Sequence, residues 1–409
     1  MSVQKYPGRV LSKTPPTITP PVDGEGGSAP GVWTLSEALE NEKAGTWPKP
    51  VLPRELYTWG LNTSGQSGLG NTTTFSSPVQ VGALVDWYQV TAGTSHTGAI
   101  KTDGTLWSWG SNSNGRLGLN DVINLSSPTQ VGALTTWSQV SAGGSETAAV
   151  KTDGTLWTWG RSNLGQLGQN DTIDRSSPVQ VGALATWYQV DTGENIVAAV
   201  KTDGTLWTWG EGGNGRLGHN NTTNRSSPVQ VGSLTTWSQV SGGQAACAAI
   251  KTDGTLWTWG YGSYGRLGLN NTTTFSSPVQ VGSLTTWSQV SVGNLFMAAV
   301  KTDGTLWGWG SNSDGNLGDG TKYNYQSSPV QVGALTTWSQ VSTTVSGGFR
   351  ATIGLKTDGT IWTWGNNSSG CLGTNTGSAI VMSPVQVGAS TNWGAVSFGT
   401  RSAAATTKG

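Results

Sequence analysis

The residues with the most obvious capacity for chemistry are two histidines, two cysteines and an aspartate that recurs in one short motif. His96 and His219 stand at positions that are not equivalent in the repeat that fills most of the chain. Neither a metal cluster nor a histidine-based triad assembles from such a pair. Cys247 and Cys371 are likewise non-equivalent, which argues against a disulfide and against a cysteine metal site. Asp103, Asp153, Asp203, Asp253, Asp303 and Asp358 all sit in Lys-Thr-Asp-Gly-Thr, where closing a tight turn accounts for them. The glycine-rich stretch GEGGNG (210–215) does not run into Gly-Lys-Ser/Thr and follows no βα unit, so it does not read as a phosphate loop. The expectation is a protein with no catalytic residues, no cofactor and no metal, whose chemistry is recognition.

The elements that hold these residues come from self-similarity. The tryptophan of each Trp-Gly pair falls at 59, 109, 159, 209, 259, 309 and 364, and KTDGTLWTWG is repeated almost letter for letter before it. A fixed period of this length marks a repeat architecture. Within one unit, TAAVK (147–151), TLWTWG (155–160), SPVQVG (177–182) and WYQV (187–190) read as short strands, the first two joined at Gly154 by a tight hairpin. Four antiparallel strands repeated seven times predict an all-β fold, a seven-bladed β-propeller over residues 55–409. The chain enters the array at LYTWG (56–60) without a preceding partner and ends in SAAATTKG (402–409), which matches the missing strand. The two ends thus complete one blade and leave no open sheet edge.

The segment W-x-Q-V-x-x-G-x-x-x-x-A-A-V-K-T-D-G-T-L-W-T-W-G-x-x-x-x-G-x-L-G resembles the repeats of the regulator of chromosome condensation family, seven-bladed propellers of about this period. The resemblance implies the fold, and a role as an exchange factor, an inhibitor or a general interaction module. The chain departs from the chromatin-bound exchange factor in its neutral N-terminal tail. The histidine common in the innermost strand of that family stands here only at His96.

The copies also form an internal comparison. The hairpin KTDGT and the connection VGALTTW barely change, whereas the residues after W-x-Q-V, after Trp-Gly and before Ser-Ser-Pro all do. With A-A-V-K taken as the first strand of each blade and W-x-Q-V as the fourth, joined to the next blade by a crossover, alternate connections emerge on opposite faces. Every variable stretch falls on one of them. The candidate partner- or receptor-binding residues on that face are Arg161, Asn195, Ile196, Glu211, Tyr261, Tyr264, Phe296 and Arg350. The ring of lysines from Lys101 to Lys356 on the uniform face reads as solvated turns.

Composition narrows the partners. Lys plus Arg equals Asp plus Glu at 22 each, with no basic run to drive counterion release, so nucleic acid is not expected as a partner. Nothing resembles a membrane span, and MSVQKYPGRVLSK lacks the apolar core of a secretory signal. Residues 1–54 read as an extended Pro/Gly-rich arm with one short helix at about 34–44, capped by Thr34 and Glu37 and stopped by Gly45. Trp33, Leu35, Leu39 and Trp47 are its candidate anchor residues. APGVWTLSEALENEKAGTWP (29–48) resembles a short segment found near the ends of virion and tail structural proteins of marine bacteriophages. That resemblance implies a particle component, held to other virion proteins by the arm and facing a host surface protein or glycan with its variable face. The alternatives are a cytoplasmic protein-interaction propeller and a glycan-binding lectin.

Overall fold

The computed structural model describes Arg54 to Gly409 apart from Val345 and Ser378. The anticipated helix at 34–44 and the anchor residues Trp33, Leu35, Leu39 and Trp47 lie outside the described residues. The rest is seven sheets of four antiparallel strands each, arranged as a seven-bladed β-propeller. Six blades are continuous in sequence. The seventh takes Trp393–Phe398 and Ser402–Thr407 from the C-terminal end and Leu56–Gly60 and Phe75–Gln80 from the start of the array. Leu56–Gly60 pairs in unbroken register with 402–406, which is the closure the sequence predicts.

One part of the anticipated strand grouping is corrected. Each blade begins, rather than ends, with W-x-Q-V: Trp87–Ala92, His96–Lys101, Leu106–Gly110 and Leu125–Gln130 form one sheet in that order. The reason is reach. Residues 93–95 are too few to cross between blades and instead close a hairpin, whereas 131–136 make the crossover. His96 therefore opens the second strand and is not in the innermost one. The parity of the faces is unchanged, because moving the blade boundary does not alter which connections alternate.

W-x-Q-V is innermost because it carries the polar groups that tie blades together around the axis. From each innermost strand a side-chain oxygen accepts the backbone N–H of the next one: Thr91 from Ala142, Ser141 from Thr192, Asp191 from Gly242 and Ser241 from Val292. Ser291, Ser342 and Ser397 complete the circle to Thr343, Phe398 and Ala92. A second ring uses the glutamine. Gln189 accepts from Val240 N and donates to Val240 O, both at 2.8 Å, and five other glutamines accept in the same way. The seventh position is Ala395.

Between the blades lies tryptophan. In six blades the first residue of the innermost strand packs edge-on against tryptophan of the third strand, as in Trp187 against Trp207 and Trp209 at 6.1 and 6.0 Å, and in the seventh Trp393 packs against Tyr57. The lysines contradict their reading as solvated turns. Lys151 and Lys201 are 8% and 6% exposed, and each Nζ sits 3.7 Å from the centre of an indole, Trp157 and Trp207 respectively. An ammonium over an indole face, with its methylene stem buried, is a packing element and not a free surface charge. The Asp-Gly turn supports it: Asp153 Oδ1 accepts from Thr155 N and Oγ1, and Thr155 Oγ1 accepts from Trp157 Nε1 at 2.9 Å.

Two stability outcomes follow from these contacts. Lys151→Ala and Lys201→Ala each lower stability in urea titrations by about 1–2 kcal/mol, the range for a desolvated cation–π contact. Glutamate or glutamine scanning of position 395 separates cases: Ala395→Gln supplies the missing seventh bridge and raises stability by about 1 kcal/mol, as for a typical net hydrogen bond, whereas Ala395→Glu does not.

Candidate binding face

The loops that vary between repeats emerge on one face of the disc, and arginine dominates it. In the Gly-x-Leu-Gly loops, Arg116, Arg216 and Arg266 each extend to the hairpin of the following blade and donate to the carbonyls of Gly144, Gln244 and Asn294 at 3.1, 2.7 and 2.8 Å. The internal comparison does not single these arginines out, because the same position also holds Gln66, Gln166, Asn316 and Cys371. Their spacing of one or two whole repeats is the signal that marks them.

The anticipated residues divide into three groups. Asn195 and Glu211 come together: Asn195 Nδ2 donates to Glu211 Oε2 at 3.1 Å, and the same oxygen pairs with Arg216 Nη1 at 2.8 Å. Arg350 belongs to a similar network, with Nη1 at 2.7 Å from Ser313 Oγ and 3.3 Å from Asp314 Oδ2. Arg161 is half-buried beside this face, and its charge adds to the burial that lowers the Arg116 guanidinium against the opposing pull of Glu146. Tyr261 and Tyr264 are 36% and 51% exposed, as a contact residue requires. Tyr264 holds φ at 62°, a left-handed conformation that Asn114 and Asn214 occupy at the matching positions and that an aromatic residue adopts at a cost.

Ile196 and Phe296 are corrected. Both are 1% exposed and contribute no surface. They open the second strand at the position of His96, Glu146, Ala246, Ala351 and Ser402, where the side chain points into the wedge behind the innermost strand. Glycine in the turn that leads into the strand makes the room: a Cβ on Gly293 would lie 2.9 Å from the Phe296 ring, and one on Gly193 2.8 Å from Ile196. The differences at this position are differences in core filling.

Two titratable residues take that position in successive blades. His96 Nε2 lies 2.9 Å from Thr147 Oγ1, whose own proton goes to Arg116 O, so Nε2 is the donor. Burial first, and then the Arg116 charge, holds the imidazole well below its usual range, so it is neutral at pH 7. Glu146 is fully buried, and desolvation pushes its carboxyl up to about 8 despite the Ser145 N–H and Arg116. His219 is in another blade, against Thr208. Burial pushes both thiols up to about 12, which leaves no thiolate nucleophile at neutral pH.

The axial opening on this face is partly bridged by the longest of the inner hairpins. Ser346, 3% exposed, is within hydrogen-bond distance of Thr94 Oγ1 at 2.9 Å and Thr400 Oγ1 at 3.0 Å, so three blades meet there. This hairpin supplies four of the five extra residues in the longer tryptophan step, and the loop before Ser327-Ser328 supplies the fifth. The opposite face carries a ring of half-exposed leucines, including Leu84, Leu184 and Leu284, with Tyr88 and Tyr188 inside it. The sequence assigns that ring no role.

The Glu146 carboxyl carries a pH dependence. Its folded pKa lies above the unfolded value, so its contribution is fully present below about 4.5 and is lost as pH rises to 8. Glu146→Gln therefore flattens the decline of stability across that window, stabilising the protein more at pH 8 than at pH 5; urea titrations at the two pH values read the difference.

Comparison with known proteins agrees with the architecture. No match to a curated protein sequence is found. No helix among the described residues is long and apolar enough to cross a membrane. Human WBSCR16 superposes with a TM-score of 0.77 at 20% identity, over 87% of this chain and 99% of that one. The yeast (Saccharomyces cerevisiae) protein Prp20p, whose structure was described together with its binding to Gsp1p and histones, gives 0.77 at 18% identity, over 87% and 92%. Yeast RCC1 (Prp20) bound to Kap60 gives 0.77 at 18%, over 87% and 89%. At such identities these likenesses speak for the fold alone. The model of the RCC1-like domain matches residues 55–405, and by that match the chain belongs to the RCC1-like domain family.

Proposed function

We propose that this protein is a non-enzymatic protein-interaction propeller that engages its partner with the variable face. The observation that carries the reading is the distribution of differences. Backbones that repeat to within hydrogen-bond detail present Glu211, Tyr261, Ser311 and Asn366 at one equivalent position and Asn114, Asn214, Tyr264 and Ser369 at another. A scaffold that is held constant while one face changes residue by residue is suited to recognising a surface that is not itself symmetric. Tyr264 strengthens the reading, since an exposed aromatic in a left-handed conformation is a departure that stability alone does not favour.

An intracellular role of the exchange-factor or inhibitor kind is the variant that family membership supports, since the Prp20p structure is reported with binding to Gsp1p and histones. The virion reading rests on residues 29–48 and has no support from the propeller. Mass spectrometry of purified phage particles separates the two, because only the second places the chain in them.

The face is tested by affinity capture with quantitative mass spectrometry. Tyr264→Asn keeps the backbone that Asn114 and Asn214 already adopt and removes only the ring. It is expected to deplete the captured partner while leaving stability within about 1 kcal/mol of the parent. Leu184→Ser with Leu284→Ser, on the opposite face, is expected to leave capture unchanged. Loss of capture with the leucines and not with the tyrosine would reverse the assignment of the faces.

A further inference from the structure

The three arginines that clamp neighbouring blades have the same geometry but not the same complement. Arg116 has every branch engaged: Nε to Ser113 O, Nη1 to Ser95 Oγ and Gly144 O, Nη2 to Ser113 Oγ at 2.8 Å. Arg216 bonds Gly213 O and Gln244 O and is neutralised by Glu211, 2.8 Å away. Arg266 bonds Ser263 O and Asn294 O, but its Nη2 is buried with no partner. The residue is 1% exposed. Where the preceding repeat supplies Glu211, this repeat supplies Tyr261, whose ring lies 4.7 Å from the guanidinium carbon. A buried cation without an anion is costly. Burial, with Arg350 and Arg216 nearby adding to it, pulls this guanidinium down to about 10. Arg350 is already matched by Asp314.

We propose that Arg266, lidded by Tyr261 and flanked by the exposed Tyr264, is the receptor for a carboxylate on an acidic segment of the protein partner. This deepens the reading of the variable face and rests on it. The preceding blade displays a carboxylate on the homologous guanidinium within the same chain: Glu211 lies on Nη1 and against the Asn195 amide at 3.1 Å, and in the Arg266 blade the nitrogen left open beside it is Nη2. In the Arg266 blade that place is covered by a phenol ring, which swings outward as the partner's carboxylate enters. A single uncompensated guanidinium in an enclosed site matches one negative charge. A phosphate, with about two charges at neutral pH, fits it less well. A planar carboxylate also meets the guanidinium fork without further rearrangement.

The test uses the full chain with ¹⁵N-labelled arginine and follows the guanidinium resonances by NMR. Acetyl-tetraglutamate amide is the probe, with acetyl-tetraglutamine amide and inorganic phosphate as comparisons. The glutamate peptide is expected to shift the Arg266 resonances saturably, and the glutamine peptide is not. Tyr261→Glu places a carboxylate where Glu211 stands in the preceding blade, so its Arg266 signals start near those of Arg216 and no longer respond. Tyr261→Phe keeps the lid and responds as the parent does, which guards against a folding defect in the charged variant. Absence of a shift in the parent, an equal response of Tyr261→Glu, or a response to phosphate alone each overturns the proposal. Tyr264→Asn reducing partner capture while the peptide leaves Arg266 unmoved sinks the carboxylate receptor and leaves the variable face standing as the contact surface.

Discussion

The structure depends on one contact made seven times: the tryptophan of each Trp-Gly pair reaches into the loop that ends in Leu-Gly, or Ser67-Gly68 in the first, of the preceding blade. The indole is buried, at 0% exposure in Trp109, Trp159 and Trp209, and a Cβ on the last glycine of the loop would lie 2.7–2.9 Å from its Nε1. No side chain other than glycine's hydrogen fits there, and the backbone is also left-handed, with φ near 70° at Gly118 and Gly168. In five of the contacts the indole N–H bonds a loop carbonyl, as Trp109 does to Gln66 O at 2.9 Å. Trp59 makes the contact with the loop that contains Cys371 and Gly373, so the same joint that stacks the blades also closes the ring.

That joint explains which residues are repeated and which are free. Tryptophan, glycine and leucine at the interblade seam cannot change without altering a packed volume. The lysine and Asp-Gly-Thr turn below them are held by two other repeated indoles, as Lys151 and Thr155 are by Trp137 and Trp157, so they repeat as well. Above the seam the loops are anchored by backbone bonds, such as Asn120 N to Ser176 O at 2.7 Å, and their side chains face outward. Variation accumulates at the loop positions whose side chains take no part in that anchoring, while buried asparagines such as Asn112, which accepts from Leu117 N and donates to Asp121 O, hold the loop backbone. The scaffold thereby separates stability from recognition, and the arginine clamps sit at the boundary between them.

The polar rings around the axis show how a departure from the repeat is absorbed. Asp191 replaces a hydroxyl in the inner ring and is accommodated because Ser141 and Gly242 N–H both donate to its carboxylate, although burial still raises it above the usual range. Arg216 is accommodated by Glu211 from its own blade. Arg266 has no such complement, and that contrast with two homologous arginines gives the site its meaning. A single odd residue in a protein of unrelated segments would carry far less information, because there would be no equivalent position to judge it against.

Much of this was legible in the sequence because it depends on spacing along the chain. The period of the Trp-Gly pairs set the number of blades, the unpaired LYTWG and SAAATTKG set the closure, and alternation set the face on which every variable loop emerges. These are consequences of strand geometry and need no distances between blades. The remainder depended on such distances. Whether W-x-Q-V opens or ends a blade was decided by the span of residues 93–95 against 131–136, and the sequence has no measure of that gap. Ile196 and Phe296 look like surface substitutions in an alignment of the repeats, but lie behind the innermost strand in a wedge that only neighbouring blades create. The lysines look solvated because they flank a turn, and Lys151, Lys201, Lys301 and Lys356 are buried because two indoles from separate strands converge on each ammonium. Burial is a property of what arrives from elsewhere in the fold, and it was the tertiary structure that assigned it.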